Sequence, residues 1–496
     1  MALTHTDPTS LFTAAQVREL DRRAIEEHGI AGFTLMSRAG EAAFRLLSRY
    51  WPKAKRLVVV CGTGNNGGDG YVVARHGLAA RLATQVLQVG EPQRLRGDAA
   101  RARQAYLDAG GQETADAAVL RSADVIVDGL LGTGLERPVS GVYADLVQAM
   151  NAAPAPVLAL DLPSGLHGDT GAILGICVQA AATVTFIGIK QGLLTGGGPD
   201  QVGELNWAGL EVPAAVYAGM VPAAQRLDAS LLAERLPPRA RGTHKGDCGH
   251  VLVIGGGPGM SGAARMAAEA AARVGAGWVS VATHPSHAAW LNLERPELMV
   301  HAVQQAEALQ PLLARADVVA LGPGLGQDDW AVQLFAAAVA ADLPLVVDAD
   351  ALNLLVRYPL NRSDWILTPH PGEAGRLLER ATAAVQTDRF AALQAVRERY
   401  GGVGVLKGAG TLIGHPAGVS LCAAGNPGMA AGGMGDILTG VIAGLLAQRQ
   451  PLAGAAETGV LVHALAADSV AAAQGERGML ATDLLPWLPH WVNPCK

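Results

Sequence analysis

The feature that most constrains the fold of this 496-residue chain is a repeated alternation of short apolar runs with helix-length segments. Runs at 57–60, 125–127, 157–160 and 184–187 are bounded by Gly, Asp or Pro and predict buried strands. Ahead of them, Leu11, Val17, Leu20, Ala24 and Ile25 fall at helical spacing, and a second helix is expected over 35–47. Strands separated by helix-length segments imply crossover units, and so a parallel sheet with helices on both faces. The pattern loosens over 212–227, around Pro213 and Pro222, and breaks again at Pro237-Pro238. It restarts with expected strands at 251–254, 278–282, 318–321, 345–347, 365–367, 403–406 and 411–413, and closes with helices over 435–448 and 455–473. A chain of this length exceeds one ordinary core. Two domains are expected, over 1–220 and 228–496, each an α/β sandwich.

Composition narrows the function classes. Half of the residues are hydrophobic but only 4% are aromatic, and 62 are glycine, which suits close helix–sheet packing and excludes disorder. A net charge of −6 offers no global basic surface for a nucleic-acid backbone. Cys61, Cys177, Cys248, Cys422 and Cys495 form no C-x-x-C pair, and their odd number argues against a disulfide framework. His244, Cys248 and His250 cluster but lack a second ligand pair, so no zinc site is expected. The first residues, Asp7 among them, carry no apolar signal-peptide core, and no run approaches the ~20 apolar residues of a membrane span. A soluble, cytoplasmic chain is expected.

In the first half, the strand at 57–60 runs into Gly62-Thr63-Gly64-Asn65-Asn66-Gly67-Gly68-Asp69-Gly70, and a helix is expected to begin near Tyr71. A Gly-rich turn at a strand's carboxyl end exposes backbone N–H groups and a helix N-terminus to an anion such as a pyrophosphate. A merely tight turn accounts for the glycines equally well. The loop, however, is longer than a turn needs and carries the polar Asn65, Asn66 and Asp69. Two further strands end in Asp128-Gly129-Leu130-Leu131-Gly132-Thr133-Gly134-Leu135-Glu136-Arg137-Pro138 and in Asp161-Leu162-Pro163-Ser164-Gly165. Carboxyl ends of parallel strands converge on one crevice, so Asn66, Asp128, Asp161 and Ser164 are expected to meet there. Taken singly, each aspartate serves equally well as a helix cap. Together they make an oxygen-only set suited to a hard cation.

The second half has its own series: Thr243 to His250, the small-residue stretch Gly255 to Ala264, and Lys407-Gly408-Ala409-Gly410-Thr411 joining two strands. Pro369-His370-Pro371-Gly372-Glu373 lies between a strand and a helix. Small residues there suit a planar ligand and close helix packing equally. In Gly425 to Gly440, glycines crowd a helix start and Asp436 occupies its first turn. Asp436 complements the helix dipole. Beside a phosphate-holding nest it can also take a proton from a hydroxyl attacking phosphorus.

The motifs N-N-G-G-D-G, G-T-G-L-x-R and D-L-P-S-G, in this order, resemble the NAD(P)H-hydrate epimerase domain. The resemblance implies a Rossmann-like α/β/α sandwich with potassium held by Asn66, Asp128 and Ser164. It further implies a hydrate site built from Asn65, Asn66, Gly67, Gly68, Asp69, Gly132, Thr133, Gly134, Leu135, Glu136, Arg137 and Pro138, with Asp161 beside it as acid/base. Ser37 stands where that family commonly has an acidic residue. H-K-G-D-x-G-H, G-P-G-L-G, V-D-A-D-A-L-N, T-P-H-P-G-E, K-G-A-G-T and the Gly425–Asp436 motif resemble the ADP/ATP-dependent NAD(P)H-hydrate dehydratase, a ribokinase-like α/β/α sandwich. By that resemblance Lys407, Gly408, Ala409, Gly410, Thr411 and Gly435 contact ADP or ATP, used with Mg²⁺. Ala263, Gly324, His370 and Asp436 contact the hydrate, with Asp436 as catalytic base. Ala431 replaces a common Thr or Ser. The tandem order matches the bifunctional form, and the family implies a homo-oligomer acting on NAD(P)H hydrate without nucleic-acid or membrane partners.

Two rivals remain at this stage. A small-molecule kinase explains Asp436 and its nest but not the attached first domain. A binding module that has lost catalysis sits poorly with an intact Asn66, Asp128, Asp161 and Ser164 set. A nicotinamide dehydrogenase ranks last, because the G-x-G-x-x-G spacing and its partnering acid are missing.

Overall fold

The computed structural model describes residues Thr9–Pro494; Asp7 and Cys495 lie outside the described residues. The chain divides into two compact units, the first ending at Gln225 and the second beginning at Arg226.

Among the described residues of the first unit lies a seven-stranded sheet ordered Gln112–Thr114, Ala83–Gln88, Arg56–Cys61, Val125–Gly129, Val157–Leu160, Ala182–Phe186 and Glu204–Ala208. Every pairing in it is parallel. Side chains alternate between two faces. Leu57 and Val59 pack with Ala39, Tyr71 and Val73, whereas Val58 and Val60 pack with Ile126, Leu130 and Val147. Three strands escape the sequence reading. Thr84, Gln85 and Gln88 interrupt one apolar run, and the strands Gln112–Thr114 and Glu204–Ala208 sit at the sheet edges with little burial.

Two expectations need correction here. Leu11 lies in a strand, Ser10–Phe12, and the helix starts after it at Ala14, where Thr13 and Gln16 form a reciprocal capping box. The Gly-rich segment is not a loop ahead of a helix near Tyr71, because the helix runs Asn65–Ala79 and the motif forms its first turns. Glycine normally weakens a helix, but contact outweighs propensity at this position. A Cβ on Gly67 would lie 2.1 Å from the Gly62 carbonyl oxygen, one on Gly68 2.7 Å from Met36 Cε, and one on Gly70 2.8 Å from Cys61 Sγ.

The second unit holds strands in the order Met299–Ala302, Trp278–Thr283, His250–Ile254, Val318–Leu321, Leu345–Val347, Trp365–Leu367, Val403–Leu406, Thr411–His415 and Gly418–Cys422. The first seven are parallel, and the last two form antiparallel pairings. The half-exposed Met299–Ala302 and the Gly-led Gly418–Cys422 gave no apolar run to read. The closing helices are Met434–Ala447 and Leu452–Gln474, both largely buried.

Cys61, Cys177, Cys248 and Cys422 are free and buried. No metal-holding group of three His, Cys, Asp or Glu occurs among the described residues, and His250 instead bonds the Arg315 carbonyl and Ser280 Oγ. None of the described helices is long and apolar enough to cross a membrane.

Helix Met434–Ala447 approaches helix Ser261–Arg273 so closely that a Cβ on Gly440 would lie 2.0 Å from the Ala267 carbonyl oxygen. Backbone cannot yield there as a flexible side chain would. Gly440→Ala should therefore destabilise the chain by about 1–3 kcal/mol, the usual cost of overpacking, read as a lower denaturant midpoint.

Candidate functional site

In the first unit, the carboxyl ends of Arg56–Cys61, Val125–Gly129 and Val157–Leu160 face one cavity of about 770 Å³. Asn65, Asn66, Asp69, Gly132, Thr133, Gly134, Leu135, Glu136, Arg137 and Asp161 line it, while Gly67, Gly68 and Pro138 are not among its lining residues. Gly67 and Gly68 instead serve the close packing of their helix.

Asp128 and Ser164 sit buried at the strand ends. Asp128 Oδ1 accepts from Ser164 Oγ at 2.6 Å and Leu130 N at 3.1 Å, and Oδ2 accepts from Ser164 N at 2.8 Å. Burial pushes the Asp128 carboxyl up to about 6, against the pull of those hydrogen bonds. Asn66 donates its Nδ2 to the Leu131 carbonyl at 2.8 Å, and Leu131 N donates to Ser164 Oγ at 2.8 Å. Asn66 Oδ1 is left buried without a hydrogen-bond partner. A buried acceptor in that position is costly unless a cation or donor meets it.

Asp161 follows strand Val157–Leu160 with φ 65°, a backbone region that side-chain-bearing residues seldom adopt. Lys190 Nζ, Thr185 Oγ1 and Phe186 N all donate to its Oδ1. Lys190 is 1% exposed and also donates to Thr185 Oγ1 and the Phe186 carbonyl, each at 3.1 Å, so its three N–H bonds are committed. Burial first, then the nearby Asp161 and Asp21, hold the Asp69 carboxyl well above its ordinary range. Burial, opposed by Lys190 and reinforced by Asp161, pushes Asp21 up to about 6. Lys190 and Asp21 escaped the sequence reading. Each is one charge in an otherwise ordinary segment, and only the fold brings them to the cavity.

In the second unit, the strand ends again supply the polar groups. Asp348 ends strand Leu345–Val347, where its Oδ1 lies 2.7 Å from Lys407 Nζ and its Oδ2 accepts from Thr439 Oγ1 at 2.9 Å. Lys407 is also 3.7 Å from Glu373. Its side chain is therefore paired within the protein. His370 caps its own helix, its Nδ1 accepting from Gly372 N at 2.9 Å while its backbone N donates to Glu373 Oε2 at 2.8 Å. Arg389, 1% exposed, donates to the Leu406, Lys407 and Gly410 carbonyls and so braces the Lys407–Thr411 turn from behind.

Gly433, at φ 93°, precedes helix Met434–Ala447, whose first turn presents Gly435 and Asp436. A Cβ on Gly435 would lie 3.1 Å from Lys407 Nζ, and one on Gly324 3.1 Å from Ala263 Cβ. Gly326 N donates to Asp350 Oδ2 at 2.9 Å, tying the Gly322–Gly326 turn to the same edge. Burial, then the carboxylate of Asp348 opposed by Lys407, pushes the Asp436 carboxyl up to about 7, with Asp350 and Glu373 adding to the rise. Asp348, Asp350, Glu373 and Thr439 were missed as site residues, although V-D-A-D-A-L-N and the prolines around His370 mark their neighbourhood. A carboxyl poised near neutrality beside a helix N-terminus is equipped to accept a proton from a hydroxyl while backbone N–H groups hold an anion.

Residues 251–490 match the family model described as NAD(P)H-hydrate dehydratase, and residues 32–192 match that of the YjeF-related protein N-terminus. The bifunctional NAD(P)H-hydrate repair enzyme of Coxiella burnetii is 50% identical over 494 residues, covering 98% of this chain and 100% of that protein. The protein of the same description from Escherichia coli is 45% identical over 489 residues, covering 98% of this chain and 95% of its own length. A ribokinase-like superfamily protein of Enterococcus faecalis superposes with a TM-score of 0.52 at 30% identity, covering 55% of this chain and 96% of its own.

The raised carboxyl of Asp436 has a consequence for stability. A group whose folded pKa is raised above its unfolded value favours the fold below the unfolded value, and that contribution is lost as pH rises through about 7. Asp436→Asn should therefore be more thermostable than the parent at pH well above neutrality, by about 1–2 kcal/mol after solvent screening, and indistinguishable from it at strongly acid pH. Thermal unfolding across pH reads both arms.

Proposed function

The chain belongs to the bifunctional NAD(P)H-hydrate repair enzymes, and on that premise we propose that the cavity of its first unit is the epimerase site and the strand-end crevice of its second unit the dehydratase site. It is an enzyme with two activities in one chain, acting on the coenzyme hydrated at C6 of its nicotinamide ring.

In the first site, C6 carries a hydroxyl and the ring nitrogen, so loss of the protonated hydroxyl as water, pushed by that nitrogen, gives a planar iminium to which water adds back from either face, with return of the proton. Asp161, its Oδ1 fixed by three donors, is the acid/base that exchanges a proton with the C6 oxygen. The ring and its pyrophosphate lie along Asn65, Asn66, Asp69 and Gly132 to Arg137, which line the cavity. The orphaned Asn66 Oδ1, with the Asp128 carboxyl and Ser164 Oγ, offers an all-oxygen set that fits potassium. When bound, the ion would supply the positive charge that buried Asp128 lacks. This assignment makes a direct prediction: potassium should raise the melting temperature of the parent protein, and Asn66→Ala should lose most of that response.

In the second site, hydroxide is a poor leaving group and phosphate a good one. Asp436 takes the proton of the C6 hydroxyl as that oxygen attacks the terminal phosphorus of ADP or ATP. Backbone N–H groups of the Gly433–Asp436 turn steady the transferred group as AMP or ADP departs; phosphate then leaves C6, pushed by the ring nitrogen, and loss of the C5 proton to solvent restores the C5–C6 double bond of the dihydronicotinamide. The Lys407-to-Thr411 turn and Gly435 face the nucleotide; Ala263, Gly324 and His370 face the hydrate. Mg²⁺ would arrive on the nucleotide's phosphate oxygens and offset their charge. The observation that carries the reading is the pairing of an ionisable Asp436 with an open helix N-terminus. The cytoplasm is the compartment we assign, supported by the four buried free thiols, and a homo-oligomer is carried over from the family.

Asp436→Asn should lower nucleotide-dependent dehydration by about 10²–10⁴-fold, the usual worth of a general base, and leave C6 interconversion unchanged. Recovery of dihydronicotinamide absorbance and chromatography of the epimers read the two activities. Equal loss of both in a folded variant contradicts separate sites. Accumulation of a phosphorylated product in place of the reduced coenzyme would instead mark a plain kinase.

A further inference from the structure

Lys407 is poorly placed to serve as a phosphate ligand. Its Nζ is 2.7 Å from Asp348 Oδ1 and 3.7 Å from Glu373 Oε2, and the side-chain exposures are 19% for Lys407, 2% for Asp348 and 8% for Glu373. Burial works against this ammonium, but Asp348, then Glu373, and also Asp436 hold its pKa above the ordinary lysine value. Moving it onto a nucleotide would leave the buried Asp348 carboxylate without its counter-ion, held by only the neutral hydroxyls of Thr368 and Thr439.

Asp348 is fixed on both sides. Its backbone N donates to the Leu321 carbonyl at 3.0 Å, and Gly322 lies so close that a Cβ there would be 1.9 Å from the Asp348 carbonyl oxygen. Thr439, which grips Oδ2, stands three residues beyond Asp436 on the same helix face. The Asp348–Lys407 pair also lies against the first turn of that helix, within 3.1–3.2 Å of a Cβ position on Gly435.

We propose that Asp348 is a positioning residue of the dehydration reaction, pinning Lys407 as the internal counter-ion of the site and so setting the basicity of Asp436. The inference rests on the dehydratase reading of this crevice. The charged groups that face Asp436 are Asp348 and Asp350 from the Leu345–Val347 strand end, Glu373 from helix Pro371–Leu378, and Lys407. His463, buried behind the turn on helix Leu452–Gln474, is driven down to about 4 by burial and adds no charge at neutral pH.

Asp348 acts on Asp436 in two ways of the same sign. Its negative charge opposes ionisation of Asp436, and its hold on Lys407 keeps that cation from siding with Asp436. Neutralising Asp348 removes the first effect and loosens the second, so Asp436 becomes a weaker base that ionises at lower pH. The nucleotide phosphates are left to the backbone N–H groups of the two Gly-rich turns.

The test uses the full-length chain, hydrated NADH and ADP or ATP with Mg²⁺, measuring kcat and nucleotide KM against pH for the parent, Asp348→Asn and Thr439→Val. The acidic limb of kcat should move to lower pH by about one unit in Asp348→Asn, the scale of one neighbouring charge, and by a smaller step in Thr439→Val. Nucleotide KM should change less than about threefold, well inside the tenfold that 1.4 kcal/mol of lost binding would give. An unmoved limb with a tenfold or larger rise in nucleotide KM would overturn the proposal and make Lys407 a phosphate ligand. Neither quantity moving would overturn it as well. If Asp348→Asn fails to fold, Thr439→Val decides on the same criteria. Absence of dehydration in the parent would sink the functional reading itself, and the inference with it.

Discussion

Burying an ammonium group costs several kcal/mol unless an anion of good geometry meets it, and this chain buries one at a sheet edge in each unit. Lys190 stands against Asp161 and Lys407 against Asp348, each aspartate just past the end of a parallel strand. The strand fixes the carboxylate, the carboxylate fixes the lysine, and every other titratable group at the edge adjusts to that pair. Asp21 and Asp69 rise beside the first pair, and Asp436 beside the second. Of these raised carboxyls, Asp436 is the one we propose for proton transfer, and each lysine offsets part of the negative charge gathered at its edge.

Such edges exist only because helix starts come very close to strand ends. Gly67, Gly68 and Gly70 remove the side chains that would hold helix Asn65–Ala79 away from Gly62, Met36 and Cys61. Gly440 and Gly444 do the same between helices Met434–Ala447 and Ser261–Arg273. In each case the close packing holds a helix whose first turn, with its unpaired backbone N–H groups, lies at the strand edge. Packing and chemistry therefore use the same glycines, and this explains why the motif helix begins at Asn65 despite its composition.

The buried strands and the long closing helices were legible, since each is an apolar run bounded by breakers. Edge strands such as Met299–Ala302 were not, because a half-exposed strand has no apolar run to show. Of the site, the motif residues could be read because glycine and aspartate cluster in sequence as they do in space. Lys190, Asp21 and Asp348 acquire their roles only through contacts far along the chain, and no local pattern announces them. Lys407 was legible as a residue but not in its state: nothing local shows that Asp348, 59 residues away, pairs with it.

The central claim is that Asp436 directs the C6 oxygen onto phosphorus, so that this oxygen leaves with phosphate and not as water. A hydrate labelled with heavy oxygen at C6, turned over by the intact chain with ADP and Mg²⁺, tests it most directly. Mass analysis of the released phosphate should find the label there, one atom for each coenzyme restored. Label recovered in solvent water, with phosphate unlabelled, would contradict the account.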